Sequence, residues 1–405
     1  MPKPSPAIHD LTLGIELIND QAWMGGTIYL RNLVRCLFRL PSSERPRIKL
    51  LGDSESVDAL QAIIGGQPDA TLRHSLSTFW WRLASRVPMK RFHRLIDRIR
   101  HHDPGAIDVL YPGFGSAPPG VAMMRWIPDF QHRHLPELFS EQERCARDES
   151  MCRVASQPGI LILSSQSALR DFHQFFPEAI STPRVWSFHS LLELPHLDNS
   201  PTVSLPIDLP PKYLYLPNQF WVHKNHLVLF KALALLRDVH GMIIPLICTG
   251  SSADARAKNH YNVLLDMLHG NDLHQQVTLL GLLPRDQQLS IFRRCTAVVQ
   301  PSLFEGWSTV VEDTRAIGRP IFLSDIAVHR EQMPECPLFF DPSSPEQLAR
   351  LIARHWSDLT AGPDAAAEAS AQASSEAMIL ASARRFITYF QEADRLARDV
   401  PAGVT

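Results

Sequence analysis

The stretch Val298–Asp325, VVQPSLFEGWSTVVEDTRAIGRPIFLSD, gathers residue types whose spacing can do chemistry. Glu305 and Gly306 follow a Pro301-Ser302 turn. Trp307, Ser308 and Thr309 come next, with Glu312 and Asp313 a little further on. Thr309 and Glu312 have the Thr-x-x-Glu spacing of a capping box, which predicts a helix from Val310. The start of a helix presents unpaired backbone N–H groups and the positive end of the helix dipole. An acidic residue just ahead of it, at a strand's carboxyl end, can take hydroxyls or positive charge. The two together suit an anionic leaving group, with the helix end on phosphate.

The elements that must position this stretch are legible around it. Ala297–Val299 reads as a strand entering the loop, Gly318-Arg319-Pro320 ends the helix, and Ile321–Leu323 reads as the next strand. The same alternation runs through the whole chain. In the first half, strands are predicted at Leu11–Ile18, Ile48–Leu51, Ile107–Tyr111, Ile160–Leu163 and Val185–Ser187. A helical pattern runs through Tyr29, Leu30, Leu33, Val34, Leu37 and Phe38, behind a Gly25-Gly26 loop that lets backbone approach a ligand. Further helices are predicted over Asp58–Ile64, over Ser140–Ser156, and after a Ser164-Ser165-Gln166-Ser167 cap. The Pro-rich segment 191–211 reads as a linker. Beyond it come strands at Lys212–Leu216, Met242–Cys248 and Val277–Leu280. Helices are predicted at His226–Asp238 with Asn225 as N-cap, at 253–269, at Arg285–Cys295 and after Ser344, and the Ala-rich tail reads as helix. Continuously apolar strands such as Ile160–Leu163 fit a parallel sheet covered on both faces. Two doubly wound α/β domains follow, with a ligand cleft at the strands' carboxyl ends.

Composition sets the outer bounds. At 405 residues the chain exceeds one comfortable core. A formal net charge of −2 does not favour a nucleic-acid partner. The six cysteines show no C-x-x-C pairing, which argues against a zinc site or a disulfide framework. No apolar run approaches the roughly 20 residues of a membrane span, so the expected location is cytoplasmic.

The organising stretch resembles the E-x7-E region of glycosyltransferase family 4, the retaining nucleotide-sugar enzymes of the GT-B fold. That resemblance implies two Rossmann-like domains facing across a cleft: an acceptor-side domain at 1–190, the linker at 191–211, a nucleotide-sugar domain at 212–375, and a last helix, 376–405, crossing back to the first domain. It places Glu305 beside the transferred sugar and Asp313, or its neighbour Glu312, on the ribose hydroxyls. Lys224 matches the family's diphosphate-binding lysine, while Gln219 stands where an arginine is usual, moving that contact to His223 or elsewhere. The same resemblance sets Gly25, Gly26, Gly306, Trp307, Ser308 and Thr309 against the donor's sugar and diphosphate, and the Gly281-Leu282 loop against the base. Asp129 matches an acceptor-side or sugar-contacting aspartate. The usual histidine beside it is Pro128 here, with His132 or His134 as substitutes.

The implied activity is transfer of a hexose or deoxyhexose from a GDP-, UDP- or dTDP-linked donor to a glycan or lipid-linked acceptor, as in surface polysaccharide synthesis. No Asp-x-Asp motif occurs, so no metal and no further cofactor is expected. The segment 78–100 interleaves aromatic and basic residues. It reads either as core aromatics beneath a solvated basic face or as a seat on anionic lipid at the inner face of the membrane. The alternative to an enzyme is a two-domain binding or scaffold protein whose cleft has lost activity, to which the departures at Gln219 and Pro128 point.

Overall fold

The fold was analysed on a computed structural model, which describes residues 7–17, 24–52, 60, 70–72, 107–113, 120–192, 204–254, 256–332 and 337–399. The aromatic–basic segment 78–100, most of the helix expected at Asp58–Ile64 and the middle of the linker lie outside these residues. The chain divides into two compact units. One comprises Met1–Asp129, Arg147–His189 and Ala377–Thr405; the other comprises Phe130–Ala146 and Ser190–Glu376.

The first unit is built on a seven-stranded sheet: β1 (Thr12–Glu16), β2 (Arg47–Leu51), β3 (Ala70–Leu72), β4 (Val109–Tyr111), β5 (Ala122–Ile127), β6 (Ile160–Leu163) and β7 (Thr182–Val185). Their order is β3-β2-β1-β4-β5-β6-β7, and every pairing is parallel. Helix α1 (Met24–Phe38) follows β1 and buries Tyr29, Leu30, Leu33, Val34 and Leu37, the stripe expected from its periodicity. In the chain β5 is followed by a one-turn helix α2 (Gln131–His134), which belongs to the second unit, and by α3 (Glu141–Ala155), of which the part from Arg147 belongs to the first; α4 (Gln166–Phe175) follows β6. Ser165 caps α4, accepting the Ala168 N–H at 3.0 Å. An aromatic cluster closes this core: Tyr29 stacks on Trp126 at 4.0 Å and shares a 2.7 Å hydroxyl contact with Tyr111.

The second unit carries a six-stranded, all-parallel sheet in the order β10-β9-β8-β11-β12-β13. Its strands are β8 (Leu214–Leu216), β9 (Leu246–Cys248), β10 (Val277–Leu279), β11 (Ala297–Gln300), β12 (Ile321–Ser324) and β13 (Pro337–Phe340). The helices are α5 (His226–His240), α6 (His260–Gly270), α7 (Arg285–Arg294), α8 (Thr309–Ile317), α9 (Ala327–Gln332) and α10 (Pro345–His355), and the long α11 (Ala365–Arg398) runs on into the first unit. Side chains on these strands alternate between two cores, as the pleat requires. Leu214, Leu216, Ala297, Val299 and Phe322 face α5 and α10, whereas Tyr215, Val298, Ile321 and Leu323 face α7 and α8. Burial on both faces is why these strands read as unbroken apolar runs. The expected fold class, two parallel-sheet α/β domains, is the observed one.

Four local expectations are corrected. Gly25 and Gly26 do not form a loop ahead of the helix but lie in the first turn of α1. The strand expected over Met242–Cys248 begins only at Leu246, and the helix expected from residue 253 begins at His260. Asn225 precedes α5 but does not cap it: at φ 57° it is left-handed, and its side-chain amide donates to Pro301 O at 3.1 Å and Pro342 O at 2.8 Å. The amide therefore ties three chain segments together instead of satisfying the helix end.

Candidate active site

In both sheets the strand order reverses beside the unit's first strand, at β1/β4 and at β8/β11. Crevices outside the strands' carboxyl ends at such reversals are where open α/β sheets bind ligands. In the second unit, the loop leaving β8 carries Lys224 and the loop leaving β11 carries Glu305. The reversal thus brings residues far apart in sequence into contact: Lys224 Nζ lies 2.6 Å from Glu305 Oε1.

Three donors converge on that one carboxylate oxygen. Besides Lys224, Ser302 Oγ donates at 2.7 Å and Gln300 Nε2 at 2.8 Å. Gln300, the last residue of β11, is fully buried and is itself oriented by Asn218, whose Nδ2 donates to Gln300 Oε1 at 2.6 Å. Its own amide also reaches Ser302 Oγ at 3.0 Å and Ser308 Oγ at 3.2 Å. Glu305 Oε2 accepts no hydrogen bond among the described residues. Glu305 is therefore held through one oxygen, with the second available to a ligand. Gln300 and Asn218 were missed in the sequence reading; the available signal was a polar side chain at the end of an otherwise apolar strand.

The helix behind Glu305 starts at Thr309, and the expected capping box does not form. Ser308 is the N-cap residue and makes no side-chain cap bond; its N–H goes to Gln332 Oε1 at 3.1 Å. Gln332 Nε2 returns to Ser308 O and to Glu312 Oε1, each at 3.0 Å. Glu312, 1% exposed, is closed off further by Arg315 Nη1 at 2.9 Å. Glu312 has a structural task, but the partner is a glutamine from α9 and not its own helix end. Ser308 accordingly has no spare N–H for an anion, whereas the N–H of Thr309 meets no acceptor among the described residues.

Asp313, also buried, receives Ser190 Oγ on Oδ1 and Arg285 Nη2 on Oδ2, both at 2.7 Å. Each carboxylate oxygen retains a second lone pair. Gly281 has φ 66°, and its carbonyl accepts the Gly250 N–H at 2.8 Å, fastening the β10 loop to the β9 loop. Leu282 beside it is 73% exposed. Gly250 in turn packs on the β8 loop so closely that a Cβ there would lie 2.2 Å from Asn218 O.

His223 does not supply the positive charge that the resemblance expects of an arginine at the position of Gln219. Burial, and then the charges of Lys224 and Arg256, hold its imidazole well below the usual histidine range, so it is neutral at neutral pH. Gln219 Oε1 is buried and meets no hydrogen-bond donor among the described residues. The guanidinium of Arg256 lies over the rings of Trp221 (5.2 Å) and Phe139 (5.0 Å), with Asp254 3.6 Å away. His329, fully buried behind the Glu305 loop, contacts Ser324 O through Nδ1 at 2.9 Å; burial pushes its pKa down to about 4.

Of the sequence-derived site residues, Glu305, Gly306, Trp307, Ser308, Thr309, Lys224, Asp313, Glu312, Gly281 and Leu282 all lie in the second unit, on loops and helix starts that follow strands. Gly25, Gly26 and Asp129 belong to the first unit. Asp129 follows the carboxyl end of β5 and is half-buried. His132 sits in α2, 1% exposed, its ring 6.3 Å from Phe139; His134 packs against Phe304 at 5.1 Å.

A two-unit parallel α/β architecture is that of GT-B proteins. Residues 203–372, under half of the chain, match the family described as Glycosyl transferases group 1. Among solved structures, the chain is similar to sucrose-phosphate synthase from Thermosynechococcus elongatus, with 14% identity and a TM-score of 0.60 over 97% of this chain and 100% of that one. It is also similar to a glycosyltransferase from Rickettsia africae (13%, TM-score 0.59, covering 96% and 99%) and to Anabaena HepE in complex with UDP (13%, TM-score 0.56, covering 96% and 100%). No curated protein matches the sequence.

Proposed function

We propose that the protein is a retaining glycosyltransferase of family 4 type. It moves a hexose or deoxyhexose from a nucleotide-diphosphate sugar to a glycan or lipid-linked acceptor, in surface polysaccharide synthesis at the cytoplasmic side of the membrane. The observation that carries this reading is the Lys224–Glu305 pair, joined at 2.6 Å across the switch point of the second sheet. Lys224 supplies a charged donor to the leaving diphosphate, with the Thr309 N–H and the α8 dipole behind it. Arg256 adds positive charge in place of the residue lost at Gln219. Glu305, fixed through Oε1 by Gln300 and Ser302, turns Oε2 to the sugar. Asp313 takes the ribose hydroxyls through its unused lone pairs, the Gly281-Leu282 loop lies against the base, and Asp129 serves the acceptor side. The departing phosphate accepts the acceptor's proton as the new glycosidic bond forms on the face it leaves. The reaction needs no metal, since cationic side chains meet the phosphate charge. UDP sugars are the first donors to test because solved neighbours carry UDP and UDP-glucose.

The test is thermal stabilisation of the full-length protein by a panel of UDP, GDP and dTDP sugars. One nucleoside diphosphate series should raise Tm, and the rise should vanish in Lys224→Ala. Turnover with that donor should then disappear in Glu305→Ala, and NMR of the product should show the donor's anomeric configuration. No shift with any member of the panel sinks the proposal.

A further inference from the structure

Asp313 and the side chain that covers it are unequally open to a ligand. The Asp313 side chain is 4% exposed, with Ser190 Oγ on one carboxylate oxygen and Arg285 Nη2 on the other. Arg285, by contrast, keeps 42% of its side chain exposed. Gln288 Oε1 accepts from Arg285 Nη1 at 2.6 Å, so Asp313 and Gln288 hold the guanidinium from two sides. Two of its five N–H donors are engaged in this way, and the other three meet no acceptor among the described residues. A planar fork already fixed by a buried carboxylate has little side-chain freedom left to lose when a ligand docks on it.

Arg285 is the first residue of α7, three residues beyond Leu282 on the loop leaving β10. That loop is open: a Cβ added at Gly281 would meet no atom within 4 Å among the described residues, and Leu282 is exposed. Asp313 lies four residues beyond Thr309, on the same face of α8 and one turn along. The Arg285–Asp313 contact therefore joins the loop proposed for the base to the helix start proposed for the phosphate. In a nucleotide the ribose stands between those two groups. A ribose hydroxyl both donates and accepts, whereas a carboxylate only accepts and a guanidinium only donates. The pair supplies both halves.

We propose that Arg285 is a ribose-binding residue, the donating half of a pair whose accepting half is Asp313. A ribose hydroxyl gives its proton to an unused lone pair of Asp313 Oδ2, and its oxygen accepts from the Arg285 guanidinium. This rests on the reading of the second unit as a nucleotide-sugar site, and it adds the residue that makes the site selective for the ribose hydroxyls.

Isothermal titration of the full-length protein with UDP, GDP and dTDP, and with the 2′,3′-dideoxy form of each, tests this. For the nucleotide that binds, the wild type should hold the dideoxy form about tenfold or more weakly, the loss of one charge-assisted hydrogen bond. Arg285→Ala should bind the parent nucleotide about tenfold more weakly and its dideoxy form as the wild type does, so that the two become alike. Lys224→Ala should weaken both and keep their ratio, which is also what a merely structural loss would do. If Arg285→Ala does not fold, Arg285→Lys is read in the same way, since it keeps a charge beside Asp313 but has one nitrogen in place of the fork. The inference alone is overturned if binding depends on Lys224 but the Arg285 variant keeps the wild-type ratio. It is equally overturned if that variant binds the parent nucleotide more tightly, because Arg285 would then block Asp313. If the wild type binds none of the three nucleotides, the donor-site reading falls and the inference with it.

Discussion

The Lys224–Glu305 contact can be tested as a stability element independently of any substrate. The two side chains are 16% and 9% exposed and their charged atoms are 2.6 Å apart. At an effective dielectric of ~20, Coulomb's law puts the bare attraction at about 6 kcal/mol. Desolvation of both groups cancels much of that, and Gln300 and Ser302 still hold Oε1 when the lysine is gone. The net coupling should therefore be about 1–3 kcal/mol. A double-mutant cycle of Lys224→Ala, Glu305→Ala and the double variant, read by urea unfolding, measures it. Each single variant should be destabilised, and the double variant should lose less than the two added together. A coupling under ~0.5 kcal/mol would refute the reasoning, because residues that do not interact give additive effects of that precision. The two single variants should also part in binding. Glu305→Ala releases Lys224 for phosphate, so nucleoside diphosphate binding should hold or tighten while transfer is lost; Lys224→Ala should weaken that binding by about one to two decades, one charge-assisted hydrogen bond.

Gln300→Leu, which removes one of the three donors to Glu305 Oε1 and leaves the Asn218 amide unpaired, should cut turnover tenfold or more and cost about 1–3 kcal/mol in urea unfolding; steady-state kinetics with whichever nucleotide sugar raises Tm would check the first. Gly250→Ala should cost over ~2 kcal/mol in urea unfolding, since φ is 145° and the new Cβ would lie 2.2 Å from Asn218 O. His226 and His329 are buried, and burial pushes their pKa values down to about 3 and about 4, below the unfolded value near 6.5. Folded-state pKa values depressed in this way mean stability that is present above pH ~6.5 and lost as pH falls toward 4, at up to ~1.4 kcal/mol per pH unit for each histidine. His226→Phe should remove one proton's share of that slope, measured as urea stability between pH 6.5 and 4.5. Arg293→Met should cost about 3–5 kcal/mol by stranding Glu368 (9% exposed), and Arg293→Met with Glu368→Leu should recover most of it.

Much of the architecture was legible because its causes are local. An apolar run such as Ile160–Leu163 can only be a strand buried on both faces or a piece of buried helix, and its length decides between them. Gly318 stops α8 in the left-handed conformation at φ 69° because no side chain opposes it, and Ser344 caps α10 by accepting the Gln347 N–H at 3.1 Å. The loop positions of Glu305 and Lys224 follow from the same reading, each lying between a strand and a helix start. Where a local signal failed, a distant group outcompeted it. The Thr309–Glu312 spacing promised a capping box, but Gln332 reaches Ser308 and Glu312 from another helix and satisfies both. Asn225 has the right chemistry for a cap, yet its amide is drawn to two carbonyls from loops far along the chain.

Sequence alone thus determined which residues stand at the ends of strands, because hydrophobic periodicity and turn chemistry act over a few residues. Only the tertiary structure decided which of those ends meet. The order β10-β9-β8-β11-β12-β13 sets β8 beside β11, and that adjacency is what places Lys224 on Glu305 and makes Gln300 the hub between them. Strand order is set by the packing of whole helices against whole sheets, a sum of long-range contacts that no window of sequence contains.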